Sequence, residues 1–399
     1  MKIKTLVLPL FCLLYITIYT QDYVENNIVG KSIIMPSKVM NDERVIQVYL
    51  PDGYNDSEKK YPVLYILDGQ RYFLHGVSLQ KSFVEFKQTP EFIVVGIPRN
   101  PSDRNRIYTV NSNQYLRFIQ KEIINYMDVH YRTSDERLFF GWAFGGGFVL
   151  ETLITMPSLF DAFIASSPFP VKNKIPRIDS LLTERPDFNK LVYFSSETSE
   201  GSVKEGTYEL NTLLKKKGGK GLNWTFKALE SEEHRSTPFT TLYHGTAQYF
   251  QYFPELQFNS LEDFLNAGGL EYVHKYYQKR ASKYGFPEQP SDWTMFSITR
   301  NAIRASDFKQ FDALVSEFGK TNFLERLRLN RACAIAEFYL ENQGFEKALE
   351  LFSLLSEKHP DSERPLNGLG NTYKAMGETK KANLYYRKAK KLSQNQEDY

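Results

Sequence analysis

The stretch FFGWAFGGGF, Phe139–Phe148, decides how this chain folds. Inside it, Gly141-Trp142-Ala143-Phe144-Gly145 keeps the spacing of Gly-x-Ser-x-Gly, the strand-to-helix turn that exposes a nucleophilic serine. Alanine stands where the hydroxyl belongs. Such a turn needs an apolar strand entering it and small residues where strand and helix crowd it. It also needs a helix leaving it, so that amides at the helix start face a developing oxyanion. RLFFGWAFGGGFVLETL (Arg137–Leu153) offers the strand, the helix, and glycines at 141, 145 and 146 for the crowded places. Taken alone, the stretch is equally a glycine-rich turn without chemistry.

The sequence around it alternates strand-like and helix-like segments. YPVLYILDG (Tyr61–Gly69) and EFIVVGIP (Glu91–Pro98) are continuous apolar runs, as expected of strands buried on both faces. RVIQVYLP (Arg44–Pro51), ERLFFGW (Glu136–Trp142), FDAFIASSPF (Phe160–Phe169), KLVYFSSE (Lys190–Glu197) and LNWTFKALE (Leu222–Glu230) complete the strand set. Asn111–Tyr131 places Leu116, Ile119, Ile123, Ile124 and Met127 on one helical face. Strands separated by helices predict an α/β fold with a mostly parallel sheet over residues 21–260.

Composition narrows the partners. Fifty basic and 47 acidic residues leave a net charge of +3, so nothing in the balance points to nucleic acid. Apolar residues reach 42%, enough for a large core. Residues 1–20 read as a signal peptide: Lys2 and Lys4 precede an apolar run from Leu6 to Tyr19, with cleavage expected near Thr20. The run is too short for a stable membrane span, so the chain is expected to be exported, periplasmic or secreted. Its removal would leave Cys333 as the one cysteine, and no internal disulfide.

Beyond a helical linker region at 261–292, residues 293–399 read as an all-α repeat. Ile335, Ala336, Tyr339, Ala348 and Phe352 recur 34 positions later as Leu369, Gly370, Tyr373, Ala382 and Tyr386. The alternation of small and large residues at this period resembles the tetratricopeptide repeat (TPR), with a weaker copy at Trp293–Gly319. Such repeats imply a concave surface for a protein or peptide partner.

Several blocks of the first domain resemble one esterase family of α/β-hydrolases. They are VYLPDGYNDSEKKYPVLYILDGQRYF, FIVVGIPRNPSDRNRIYTV, FIQKEIINYMDVHYRTSDERLFFGWAFGGG and FDAFIASSPF, within Val48–Phe253. The family includes siderophore trilactone, feruloyl and acetyl-xylan esterases and S-formylglutathione hydrolases. The resemblance implies an α/β-hydrolase fold and a Ser-acid-His mechanism in that chain order. It places the nucleophile at Ala143 and the histidine at His234, in ESEEHRSTP. The acid falls at Glu200, with Glu197 as the alternative, in KLVYFSSETSEG. The oxyanion amides would be those of Phe144 and Gln70. Arg71, Tyr72, Arg104, Arg106 and Trp142 would line the substrate site.

No cofactor is implied, and the remaining histidines form no metal-ligand pattern. Without an Oγ at 143 no acyl-enzyme forms. Three readings stay open: a degenerate esterase that keeps its pocket for a small ester, carbohydrate- or siderophore-type ligand; an active ester hydrolase masked by an alanine variant; and a non-catalytic periplasmic scaffold.

Overall fold

The computed structural model describes residues 28–103, 105–185, 188–218 and 222–397. The segment read as a signal peptide, 1–20, lies outside the described residues. Eight strands form one sheet in the order β1-β2-β4-β3-β5-β6-β7-β8. They are β1 (Lys31–Ser37), β2 (Asp42–Tyr49), β3 (Tyr61–Leu67), β4 (Ile93–Ile97), β5 (Thr133–Trp142), β6 (Ala162–Ser166), β7 (Leu191–Glu197) and β8 (Asn223–Leu229). β2 runs antiparallel to β1 and β4, and every other pairing is parallel. Parallel neighbours require crossovers, and helices supply them. These are α1 (Gly69–Glu85), α2 (Ser112–Phe118) with α3 (Asn125–His130), α4 (Phe144–Thr155), α5 (Ile175–Glu184) and α6 (Ser202–Lys217); α7 (Thr237–Tyr249) follows the last strand and packs on the sheet. A π turn at Ile119–Ile124 joins α2 to α3, so the single predicted helix is present but irregular.

The strand sequences explain the layering. Along β3, Val63, Tyr65 and Leu67 enter one apolar cluster while Leu64 and Ile66 enter the other, on the opposite face. Both faces are covered by helices, so the run is apolar at every position.

Residues 261–292 fold as α8 (Leu261–Ala267) and α9 (Gly269–Tyr284). Seven residues follow, and then α10 (Asp292–Arg304), α11 (Phe308–Gly319), α12 (Phe323–Arg326), α13 (Leu329–Glu341), α14 (Phe345–Lys358), α15 (Glu363–Ala375) and α16 (Thr379–Glu397). Leu261, Phe264, Val273, Tyr276 and Tyr277 share one core with residues of α10, α11 and α13–α15. A small residue of the 34-residue pattern lies where helices approach closely: a Cβ on Gly370 would come 2.5 Å from the Tyr386 ring. Gly368, outside the pattern, is as crowded, with a Cβ there 2.3 Å from the Phe352 ring.

α9 ties the helical body to the sheet. Arg280 Nε donates to Phe253 O at 3.0 Å, and Lys283 pairs with Glu136 at 3.3 Å near the start of β5. Trp142, at the other end of that strand, is about 20 Å away at 3.3 Å per residue. The helical body therefore docks near the sheet end remote from the Ala143 turn.

The turn itself is sterically specific. A Cβ at Gly141 would lie 2.5 Å from Gly145 O, at Gly146 2.8 Å from Ser166 O, and at Gly147 2.1 Å from Phe169 O. At Gly145 the nearest atoms are 3.6 Å away, so that glycine is not one of the crowded ones; Gly147 is. Gly147→Ala is expected to lower stability by about 1–3 kcal/mol through overpacking against backbone. Gly145→Ala should cost nothing and can gain up to about 1 kcal/mol of helix propensity. Chemical denaturation of the two variants checks the contrast.

Candidate active site

Ala143 joins β5 to α4 with φ 51° and ψ −117°. A residue with a Cβ in this region carries strain of about 1–3 kcal/mol and stays only where its surroundings hold it. They do so through three backbone hydrogen bonds. Ala143 N–H donates to Ser166 O at 3.0 Å, and Ala143 O accepts from Gly147 N at 2.9 Å and from Phe169 N at 2.9 Å. The strand end is thus bonded to the end of β6 and to the first turn of α4. The side chain at 143 projects from the apex and is a methyl group.

His234 lies in the loop before α7. Its Nδ1 is hydrogen-bonded to Glu200 Oε1. The Glu200 side chain is 6% exposed and that of His234 is 42% exposed, so the carboxylate is sealed beneath a ring that reaches solvent. Glu200 Oε2 accepts from Glu197 N–H and from Ser167 Oγ–H, both at 2.9 Å. Glu197 is occupied elsewhere: its carboxylate accepts from Ser199 N and Ser199 Oγ, both at 2.7 Å, and these bonds hold its carboxyl below the usual range. Of the two candidate acids, Glu200 faces the imidazole and Glu197 shapes the turn that carries it.

Below this pair runs a buried set of hydroxyls. Thr237 Oγ1 donates to His234 O at 3.1 Å and lies 2.9 Å from the Oγ atoms of Ser166 and Ser167. Thr241 Oγ1 extends the set to Ser195 at 2.5 Å. Ser166, Ser167, Ser195, Thr237 and Thr241 are all at most 1% exposed. Ser167 is therefore no substitute nucleophile. Its hydroxyl is fully buried and bonded to the acid.

Trp142 clamps the histidine loop from the other side. Its Nε1–H donates to His234 O at 2.8 Å, and its ring centroid is 4.7 Å from the imidazole. Arg71 lies over the same indole at 5.7 Å and is exposed. Tyr72 is 5% exposed and packs edge-on to Phe140, Trp142 and Phe239. It is a wall behind Trp142 rather than a residue of the mouth, and burial pushes its hydroxyl up to about 12.

The two expected oxyanion amides sit at helix starts: Phe144 is the first residue of α4 and Gln70 the second of α1. Gln70 is held by its side chain, with Nε2 donating to Asp68 Oδ1 at 3.1 Å and Oε1 accepting from Arg99 N at 3.1 Å. Asp68 is 4% exposed, at φ 53°, and pairs with Arg99 at 3.5 Å. Arg106 is exposed on a short turn beyond β4, and Arg104 lies outside the described residues.

Sequence reasoning gave no role to Asp68, Arg99 or Thr237. Of these, Thr237 had a signal, three residues after His234 at the start of α7. Among the described residues no group of three or more His, Cys, Asp or Glu could hold a metal, and no helix is long and apolar enough to cross a membrane.

Chemically, the arrangement can orient a base and stabilise a developing negative charge. It offers no atom to attack with. Thr237→Val would leave Ser166, Ser167 and the His234 carbonyl short of a buried partner, at about 1–3 kcal/mol. Urea unfolding should register that loss, whereas Thr212→Val, on an exposed helix face, should stay within about 0.5 kcal/mol.

Comparison with known proteins agrees with this fold. Residues 37–213 match the family described as "Putative esterase". The uncharacterized protein YjcH of Bacillus subtilis is 26% identical over 201 residues, covering 45% of this chain and 82% of that protein. An IroE-like serine hydrolase from Shewanella oneidensis superposes with a TM-score of 0.53 at 24% identity, over 72% of this chain and 98% of the other. An uncharacterised protein from Capnocytophaga ochracea superposes with a TM-score of 0.55 at 15% identity, covering 90% of this chain and 93% of its own. Both likenesses concern the fold, and the second extends through the helical body. The α/β body has an α/β-hydrolase-like fold and matches that family over residues 37–213.

Proposed function

We propose that this chain is an exported esterase-fold protein that binds a small ester-type ligand and does not turn it over by acyl transfer. The observation that carries the reading is Ala143, held at φ 51° and ψ −117° at the elbow while Glu200 and His234 remain paired. Removing a triad nucleophile leaves on the order of 10³–10⁴ over the uncatalysed rate, from the oxyanion site and binding alone. The ligand class is a small ester of carbohydrate or siderophore type, received between Arg71, Trp142 and Phe144. The helical body offers a separate surface for a protein or peptide partner, as TPR-like arrays do. The apolar run at 1–20 supports export.

One feature favours a second reading, an active ester hydrolase seen as an alanine variant. The elbow strain, the acid–histidine pair and the hydroxyls beneath them are all retained, although only a nucleophile makes use of them together.

Hydrolysis of p-nitrophenyl acetate and butyrate separates the readings. The protein should turn over no faster than His234→Ala. Ala143→Ser should raise kcat/KM by at least about 10²-fold and form a fluorophosphonate adduct. In that background Glu200→Gln should lower kcat by about 10²–10⁴-fold, and Glu197→Gln by less than about 10-fold. Turnover by the unchanged protein equal to that of Ala143→Ser would sink the proposal.

A further inference from the structure

The helical body holds a group of cations that its own acids leave uncompensated. Arg331, on the first turn of α13, lies 4.8 Å over the Trp293 ring and 5.0 Å over Phe296. Arg300, on α10, lies 5.5 Å and 5.9 Å from the same two rings. Two guanidiniums are thus gathered on one aromatic platform, where cation–π attraction holds each and their mutual repulsion opposes both.

The nearby carboxylates are committed elsewhere. Asp292, next to Trp293, is bonded to Arg326 at 2.7 Å. Glu337 of α13 is bonded to Arg364 at 2.9 Å, and Asp312 of α11 accepts from Tyr339 Oη at 2.7 Å. Among the described residues no carboxylate lies within ion-pair distance of Arg300 or Arg331, and Arg300 Nε is buried without an acceptor. Burial, with Arg304 and Arg331 close by, pulls the Arg300 guanidinium below its usual value. The start of α13 adds to the positive potential. It has no side-chain cap, and a helix N-terminus carries about half a positive charge.

We propose that this face of α10 and α13 is an oxyanion-binding site, in which Arg300 and Arg331 hold a carboxylate or phosphate group beside Trp293. Forked guanidinium donors suit either group, and desolvation by the rings strengthens the bond. The site is independent of Ala143 and of the reading given to the esterase-like domain.

Isothermal titration of the full chain at constant ionic strength tests it, with acetate and inorganic phosphate run separately against chloride. The expected result is saturable binding of at least one of them at a single site. Stronger acetate binding identifies a carboxylate ligand, and stronger phosphate binding a phosphate ligand. Arg331→Met and Arg300→Met keep the apolar stems and should each weaken binding by about 10-fold or more. Arg364→Met, outside the cluster, should change it by less than about 2-fold. Melting curves confirm that each variant folds, and the chloride comparison on the unchanged chain decides the matter if one does not. Heats indistinguishable from chloride, or full affinity retained in Arg331→Met, overturn the proposal.

Discussion

Everything around the candidate site depends on one residue held at a positive φ. Ala143 reverses the chain between β5 and α4, and a backbone at φ 51° and ψ −117° does not persist unaided. Ser166 O holds the turn from β6, and Gly147 N and Phe169 N hold it from the helix and the following loop. Those bonds bring the three segments so close that positions 141, 146 and 147 have no room for a Cβ. The glycine run is thus a consequence of the strained turn rather than a separate motif. It also fixes where α4 begins, and hence where the Phe144 amide points. The strain is unexpected for an alanine. A methyl group gains nothing from projecting at the apex, so the conformation is imposed by its backbone neighbours.

The second constraint is the burial of Glu200. A carboxylate with 6% exposure is tolerable only with its hydrogen bonds met. His234, Ser167 and the Glu197 amide meet them, and Thr237 and Thr241 meet the needs of the serines in turn. The arrangement is closed: changing one member exposes another to an unmet bond. That coupling ties the acid–histidine pair to the stability of the core beneath it. The pair is part of the core's polar network, so its loss would carry a cost in stability whatever the residue at 143.

The elbow and the buried strands could be read directly from the sequence, because their physics is local. β3 and β4 are unbroken apolar runs, and the glycines around 143 encode steric demands between near neighbours. The edge strand β1, KSIIMPS, escaped notice: it is largely exposed, contains a proline, and pairs along one side only. The choice between Glu197 and Glu200 is open in the sequence because the two lie three residues apart, one at the end of β7 and one in the turn after it. Only the fold decides which turns toward a histidine 34 positions on. Tyr72 misled for the opposite reason. Its neighbour Arg71 does lie exposed over Trp142, but the next residue of a helix points about 100° away, here into the core. Periodicity identified the small and large positions of the helical pairs. It could not reveal that Arg300 and Arg331 converge on one pair of rings, since that contact joins different helices.

The two bodies are joined in a way that keeps their chemistry apart. α9 meets the α/β body near the start of β5, while the Ala143 turn closes the far end of the same strand. A ligand arriving at Trp142 therefore has no direct contact with α9, and a partner on the helical face need not occlude the elbow. Two elements span the distance, β5 and α7: Thr237 at the start of α7 bonds His234 O, Lys283 reaches Tyr249 O at its end, and the core beside them is apolar on both faces. Such a core transmits rigid-body displacement better than local rearrangement. The junction of the two bodies is therefore the docking of α9 through Arg280 and Lys283, not a shared site.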